Sequence, residues 1–127
     1  MIEINNEEVQ VIQGVVPSKS NCYRIITLGN HASLAKTPAL KKYEESFTWQ
    51  CGKYRNANID TTFEFYVDVY FPSKRSDLDN SLKVILDSLQ RINAIKNDNN
   101  CIKIVAQKFI DKENPRCEFI IKKIWHN

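Results

Sequence analysis

The chain has 127 residues, 43% hydrophobic and 26% charged, which supplies one compact core and leaves too little length for two comfortable domains. Three glycines and four prolines exclude collagen-like and low-complexity classes, the apolar share argues against disorder, and no apolar run reaches the ~18 residues of a membrane span. Lysine and arginine number 18 against 15 acids, a formal charge of +3, and here distribution matters more than the total. Glu3, Glu7, Glu8, Glu44 and Glu45 sit early, while Lys103, Lys108, Lys112, Arg116, Lys122 and Lys123 enrich the last quarter.

The opening MIEINNEEVQ carries acids where a secretory leader has a basic stretch and an apolar segment, so a cytoplasmic protein without a membrane anchor is expected. Cys22, Cys51, Cys101 and Cys117 form no C-x-x-C pair, and His31 and His126 are the only histidines. That is no zinc pattern, and reduced thiols are the expectation. Cys51 and Cys117 lie beside apolar positions and read as small core fillers. Neither a Cys–His nor a Ser–His set has supporting local sequence.

Val9 to Val16 is rich in β-branched residues and stops at Pro17, which predicts a first strand. Cys22–Leu28 and His31–Ala35 read as short strands around a Gly29-Asn30 turn. Thr37-Pro38 predicts an N-cap followed by proline at the first helical position. Leu40, Tyr43, Phe47 and Cys51 then fall at helical spacing, with Gly52 at the expected end. In Thr61–Phe71, Phe63, Phe65, Val67, Val69 and Phe71 alternate with Glu64, Tyr66, Asp68 and Tyr70, the mark of a strand with one buried face. A helix is predicted from about Asn80 to Ile92, with Leu82, Ile85, Leu86, Leu89 and Ile92 toward the core. Cys101–Ile110 and Arg116–Ile124 read as strands joined in a hairpin by the turn-like Asp111–Pro115. The order β-β-β-α-β-α-β-β describes a single-domain α+β fold with two main helices on a mixed sheet.

The stretch from Ser76 to Asp87, SDLDNSLKVILD, leaves the strongest strand and opens the second helix. Asp77 and Asp79, one residue apart at a chain reversal, can converge on one hard cation, and magnesium is satisfied by one or two carboxylates with waters and substrate phosphate. Lys83 follows Asp79 by four positions on the same helix face, and Asp87 continues that row. Two plainer roles stand beside this one. Either aspartate can serve as helix N-cap, at ~1 kcal/mol, and Asp79–Lys83 or Lys83–Asp87 can be ordinary i,i+4 pairs on a wet face.

The run Arg75-Ser76-Asp77-Leu78-Asp79-Asn80, then Lys83 and Asp87-Ser88-Leu89, resembles the signature of the RusA-type Holliday-junction resolvases. In that family a D-x-D-N-x-x-K segment is followed by a D-D or N-D pair before a strand, and this chain has Asn97-Asp98 there. Asn97 stands where many relatives carry a first aspartate. Val16-Pro17-Ser18-Lys19, the Lys36-Thr37 to Tyr43-Glu44 segment and Lys108 also resemble family features.

The resemblance implies a homodimeric, magnesium-dependent endonuclease (manganese being an alternative metal) that cuts four-way DNA junctions symmetrically in recombination and repair. It implies Asp77, Asp79 and Asp98 as metal-binding acids, with Lys83 essential beside them. Lys19, Arg24, Lys74, Arg75 and Lys108, with the terminal Lys122-Lys123, are candidate phosphate contacts. Tyr23 is a candidate wedge at the junction centre, whereas Phe71 suits the core. The geometry leaves open whether Asp98 serves its own subunit's site or a partner's. Other readings are a metal-dependent nuclease for another branched DNA, and a non-catalytic DNA-binding module.

Overall fold

The computed structural model describes residues 8–124. Strands β1 (Gln10–Gln13), β2 (Tyr23–Leu28) and β3 (His31–Lys36) precede helix α1 (Pro38–Gln50); β4 (Phe63–Phe71), helix α2 (Leu78–Arg91), β5 (Cys101–Ile110) and β6 (Arg116–Lys123) follow. This is the α+β order read from the sequence. Early acids Glu3 and Glu7 and the penultimate His126 lie outside the described residues.

Four strands form one mixed sheet in the order β1-β6-β4-β5, and β2–β3 form a separate two-stranded arm. β4 is central because both its faces carry apolar side chains: Phe63, Phe65, Val67, Val69 and Phe71 are buried on one, and Tyr66 on the other. It pairs parallel with β5 and antiparallel with β6. The expected β5–β6 hairpin is therefore corrected, since β4 lies between the two strands. The linking segment passes the end of β4, where the Asp111 amide donates to the Phe71 carbonyl at 2.8 Å. Asp111–Pro115 thus has to cross two inter-strand spacings of ~4.8 Å, well within the reach of five residues. Turn chemistry set the reversal but not which strand would fill the gap.

β1 is also shorter than the β-branched run suggested. After Gln13, Gly14 takes a φ of +116°, a conformation glycine adopts without strain, and its amide donates to the Pro115 carbonyl at 2.9 Å just past the last paired residues. Gly29, at φ +62°, makes the tight turn of the arm.

Both helices lie on the face of the sheet defined by the odd-numbered β4 residues, and the core between them is one continuous cluster. Thr37 caps α1 by accepting from the Leu40 amide at 3.2 Å, with Pro38 at the first helical position. Leu40, Tyr43, Phe47 and Cys51 are buried as their spacing required. Phe119 of β6 centres the aromatic packing, stacked on Phe47 at 6.0 Å and tilted against Phe65 and Tyr54, each at 5.9 Å. All four cysteines are free thiols. Cys117 meets the Tyr43 hydroxyl at 3.8 Å, and burial pushes that thiol up to about 12.

Candidate active site

α2 begins where β4 ends, so the loop between them presents its side chains at the C-terminal edge of the sheet. Lys108 of β5 pins this loop. Its ammonium donates to the Lys74 carbonyl at 2.8 Å and to the Ser76 carbonyl, and lies 5.7 Å from the centre of the Phe71 ring. Asn80 adds a second tie through a 3.4 Å bond from its amide nitrogen to the Pro17 carbonyl. Asp77 is fixed between these anchors.

Asp77 occupies the N-cap position of α2, with extended φ and ψ of −94° and 124°, yet its side chain makes no capping hydrogen bond. The capping role weighed for it is therefore not used, and helical structure starts at Leu78 rather than Asn80. Its carboxylate is exposed and lines a cavity of about 450 Å³ with Ser18, Ser20, Arg75, Ser76 and Asn80. Asp79 is exposed in the first turn. The i,i+4 pair that forms is not Asp79–Lys83 but Lys83–Asp87, at 2.9 Å.

Lys83 also lies 3.9 Å from Asp98, and the hydrogen bond and charge of Asp87, with the charges of Asp98 and Tyr23, hold its ammonium above the ordinary lysine value of 10.5. The chain returns Asp98 to its own helix. Asn93 reverses direction at φ +60°, Ile95 bridges to Ile59, and the Asp98 amide donates to the Gln90 side-chain oxygen at 3.2 Å. Asn97 accepts from the Asn99 amide at 2.9 Å and so serves as the cap of the short turn at Asp98. The structure thus makes two sets, Asp77 with Asp79 at the start of α2, and Lys83 with Asp87 and Asp98 along its length. Among the described residues no group of three or more potential metal ligands is gathered.

Gln90 was not singled out by the sequence, although it extends the Asp79-Lys83-Asp87 row by a further i+3 step. Lys36 and Glu44 were also missed as a pair. They meet at 2.8 and 3.1 Å with Glu44 buried. With Tyr23, Asn80, Lys83, Asp87, Gln90 and Arg91 they line a second cavity of about 500 Å³, which meets the first at Asn80.

Of the candidate phosphate contacts, Arg24, Lys74 and Arg75 are exposed, as are Lys122 and Lys123. Arg75 is the one that shares the cavity with Asp77. Lys108 is half-buried and turned to backbone carbonyls. The side chain of Lys19 lies outside the described set. Phe71 is buried in the core, whereas Tyr23 is 46% exposed at the rim of the larger cavity.

The family model for endodeoxyribonuclease RusA matches residues 15–122. The chain belongs to the RusA family. The match spans both anchors of the loop, both acids at the start of α2, Lys83 and Asp98. No curated protein matches the chain. No described helix is long and apolar enough to cross a membrane.

Proposed function

We propose that this RusA-family protein is a cytoplasmic, homodimeric endonuclease that resolves four-way DNA junctions by paired phosphodiester hydrolysis with Mg²⁺, or Mn²⁺ in its place. The observation that carries the reading is Asp77 left without its capping bond, separated by one residue from the exposed Asp79, within a chain matched by the RusA model over residues 15–122. A helix N-cap position favours an aspartate that accepts from the first-turn amides. Here the side chain forgoes that bond and faces a cavity instead.

The donor chemistry suits the metal. Two exposed carboxylates meet what magnesium asks of a protein, the remaining positions going to water and phosphate oxygens. Asp77 and Asp79 would hold the ion, while Asp98 stands apart from them against Lys83. When bound, the ion lowers the pKa of coordinated water and offsets phosphate charge. The chain's own residues do the rest. Arg75 and the hydroxyls of Ser18 and Ser20 line the approach to Asp77 and offer donors to a backbone phosphate. Lys83, its ammonium kept charged by Asp87 and Asp98, offsets negative charge that builds on the phosphoryl group as the leaving oxygen departs. Lys108 contributes by holding the Asp77 loop.

Two such sites are needed because a junction offers two symmetry-related strands. The test is incubation of purified protein with a mobile four-way junction, a fork, a flap and a duplex of matched sequence, without metal and with Mg²⁺ or Mn²⁺. Paired nicks in the junction alone, only with the metal, are expected. Equal cutting of forks or flaps would move the reading to branched DNA in general, and binding without cutting in either metal would leave a DNA-binding module.

A further inference from the structure

The larger cavity, of about 500 Å³, lies between the foot of the β2–β3 arm and α2, and shares Asn80 with the smaller cavity that Asp77 lines. Of its lining, the proposed mechanism uses only Lys83 and Asp87. Tyr23 and Lys36 are directly opposed across the arm and so share one face of it. Thr37, the cap of α1, donates its amide to the Cys22 carbonyl at 2.9 Å, which ties the foot of the arm to the helix. Cys22, Leu40 and Val84 supply a buried apolar lining.

The two cavities offer different partners. Beside Asp77, Arg75 with Ser18 and Ser20 presents donors suited to a phosphate. In the larger cavity the cations are already engaged: Lys36 with both oxygens of Glu44, Lys83 with Asp87, and Arg91 with the Thr48 hydroxyl at 3.1 Å. A further anion would have to displace these bonds, whereas a neutral ring bearing N–H groups would not. Each carboxylate oxygen that accepts one hydrogen bond keeps a second lone pair, so Glu44, only 7% exposed, remains an acceptor beside the apolar lining. Tyr23, at the rim, offers a flat face of the kind on which bases stack.

We infer that this cavity binds one nucleobase of the cleaved strand, next to the phosphate held at Asp77, with Tyr23 stacked on its ring and Glu44 accepting from its exocyclic amino group. The inference rests on the proposed function, which places the phosphate. The shared Asn80 makes the two cavities neighbours, as a base and its own phosphate are. Adenine, cytosine and guanine carry an amino group and thymine carries none, so the cavity discriminates against thymine. Taking a base out of its stack is least costly where pairing is already interrupted, as at a branch point.

The test uses the full chain and an immobile four-way junction in which each nucleotide near the branch point is replaced in turn by thymidine or by an abasic residue. Cleavage rate, and affinity by fluorescence anisotropy, are read for the wild type, Tyr23→Ala, Tyr23→Phe and Glu44→Gln. At one position, the abasic junction with wild-type protein and the intact junction with Tyr23→Ala should each lose about tenfold. Combined, they should lose no more than either alone, because both remove the same contact. Tyr23→Phe keeps the ring and should match the wild type. Thymine at that position should cost the wild type about tenfold and Glu44→Gln little, since an amide can donate to the thymine carbonyl. Losses that multiply at every position, or equal values for all four bases, would overturn the inference. Should Glu44→Gln not fold, the cycle with Tyr23 decides, because that side chain is exposed. The two readings fail separately. A protein that binds the junction without cutting it, yet shows the coupling in its affinities, keeps the base cavity and removes the nuclease. Cleavage with multiplying losses does the reverse, and a protein that neither binds nor cuts removes both.

Discussion

The ammonium of Lys83 stands 3.9 Å from the carboxylate of Asp98. It is held there by the 2.9 Å bond that Lys83 makes to Asp87. This contact joins the acid-bearing loop before β5 to the helix that begins with Asp77 and Asp79, within one subunit. Mixing inactive Asp77→Asn and Asp98→Asn proteins should therefore restore no activity. Recovered cleavage would mean that sites are shared between subunits.

Lys83→Met keeps the aliphatic stem and removes the charge. Cleavage should fall ~10²–10³-fold, the usual loss of one charge-stabilising donor, with junction affinity little changed. The raised pKa keeps Lys83 charged below the ordinary lysine value of 10.5, and its ion-pair stabilisation is lost only as pH rises through the higher folded value. Single-turnover rates from pH 6 to 9 (about the neutral window of carboxylate and lysine values) should show no step that Lys83→Met abolishes.

Lys108 separates positioning from DNA contact. Lys108→Met removes both bonds to the Lys74 and Ser76 carbonyls while preserving packing on Phe71. Loosening the Asp77 loop should cost ~10²-fold in cleavage with unchanged affinity. A phosphate-contacting lysine would instead lower affinity and reduce the salt slope by about one. Filter binding at several salt concentrations, beside cleavage rates, tells the two apart.

On the face of the sheet opposite the helices, Asp68 of β4 lies across from Glu118 of β6. Burial, and secondarily the charge of Glu118, raise its carboxyl above the usual 3.8. An acid whose pKa is raised by folding destabilises the fold once ionised, so the penalty is present at neutral pH and vanishes on acidification. Asp68→Asn should gain roughly 0.5 kcal/mol in urea unfolding at neutral pH, with the gain gone below the carboxylate range.

Cys22, Cys51 and Cys117 are each no more than 2% exposed, and Cys101 is half-buried. Titration with an aromatic disulfide reagent should therefore find one fast thiol in the native protein and all four after denaturation. More than one fast thiol would mean that the core around Phe119 opens locally.

Much of this was legible in the sequence because it is local. The alternation of Phe63 to Phe71, the Thr37-Pro38 cap and the leucine stripe of α2 each follow from neighbours within a few residues. The partner of a strand does not. Asp111–Pro115 announces a reversal, but only the two-sided apolar character of β4 decides that it inserts between β5 and β6. At the candidate site, the spacing of Asp77, Asp79 and Lys83 drew attention to the start of α2, whereas the anchors came from remote positions: Lys108 on the loop, Gln90 on Asp98, and Pro17 on Asn80. Backbone groups as partners leave no trace in side-chain spacing.

The account stands most directly on the paired acids at the start of α2. Single-turnover cleavage of a four-way junction in Mg²⁺ should be lost in both Asp77→Asn and Asp79→Asn, with junction affinity and thermal unfolding kept near wild type. Wild-type cleavage rates in both variants would contradict it.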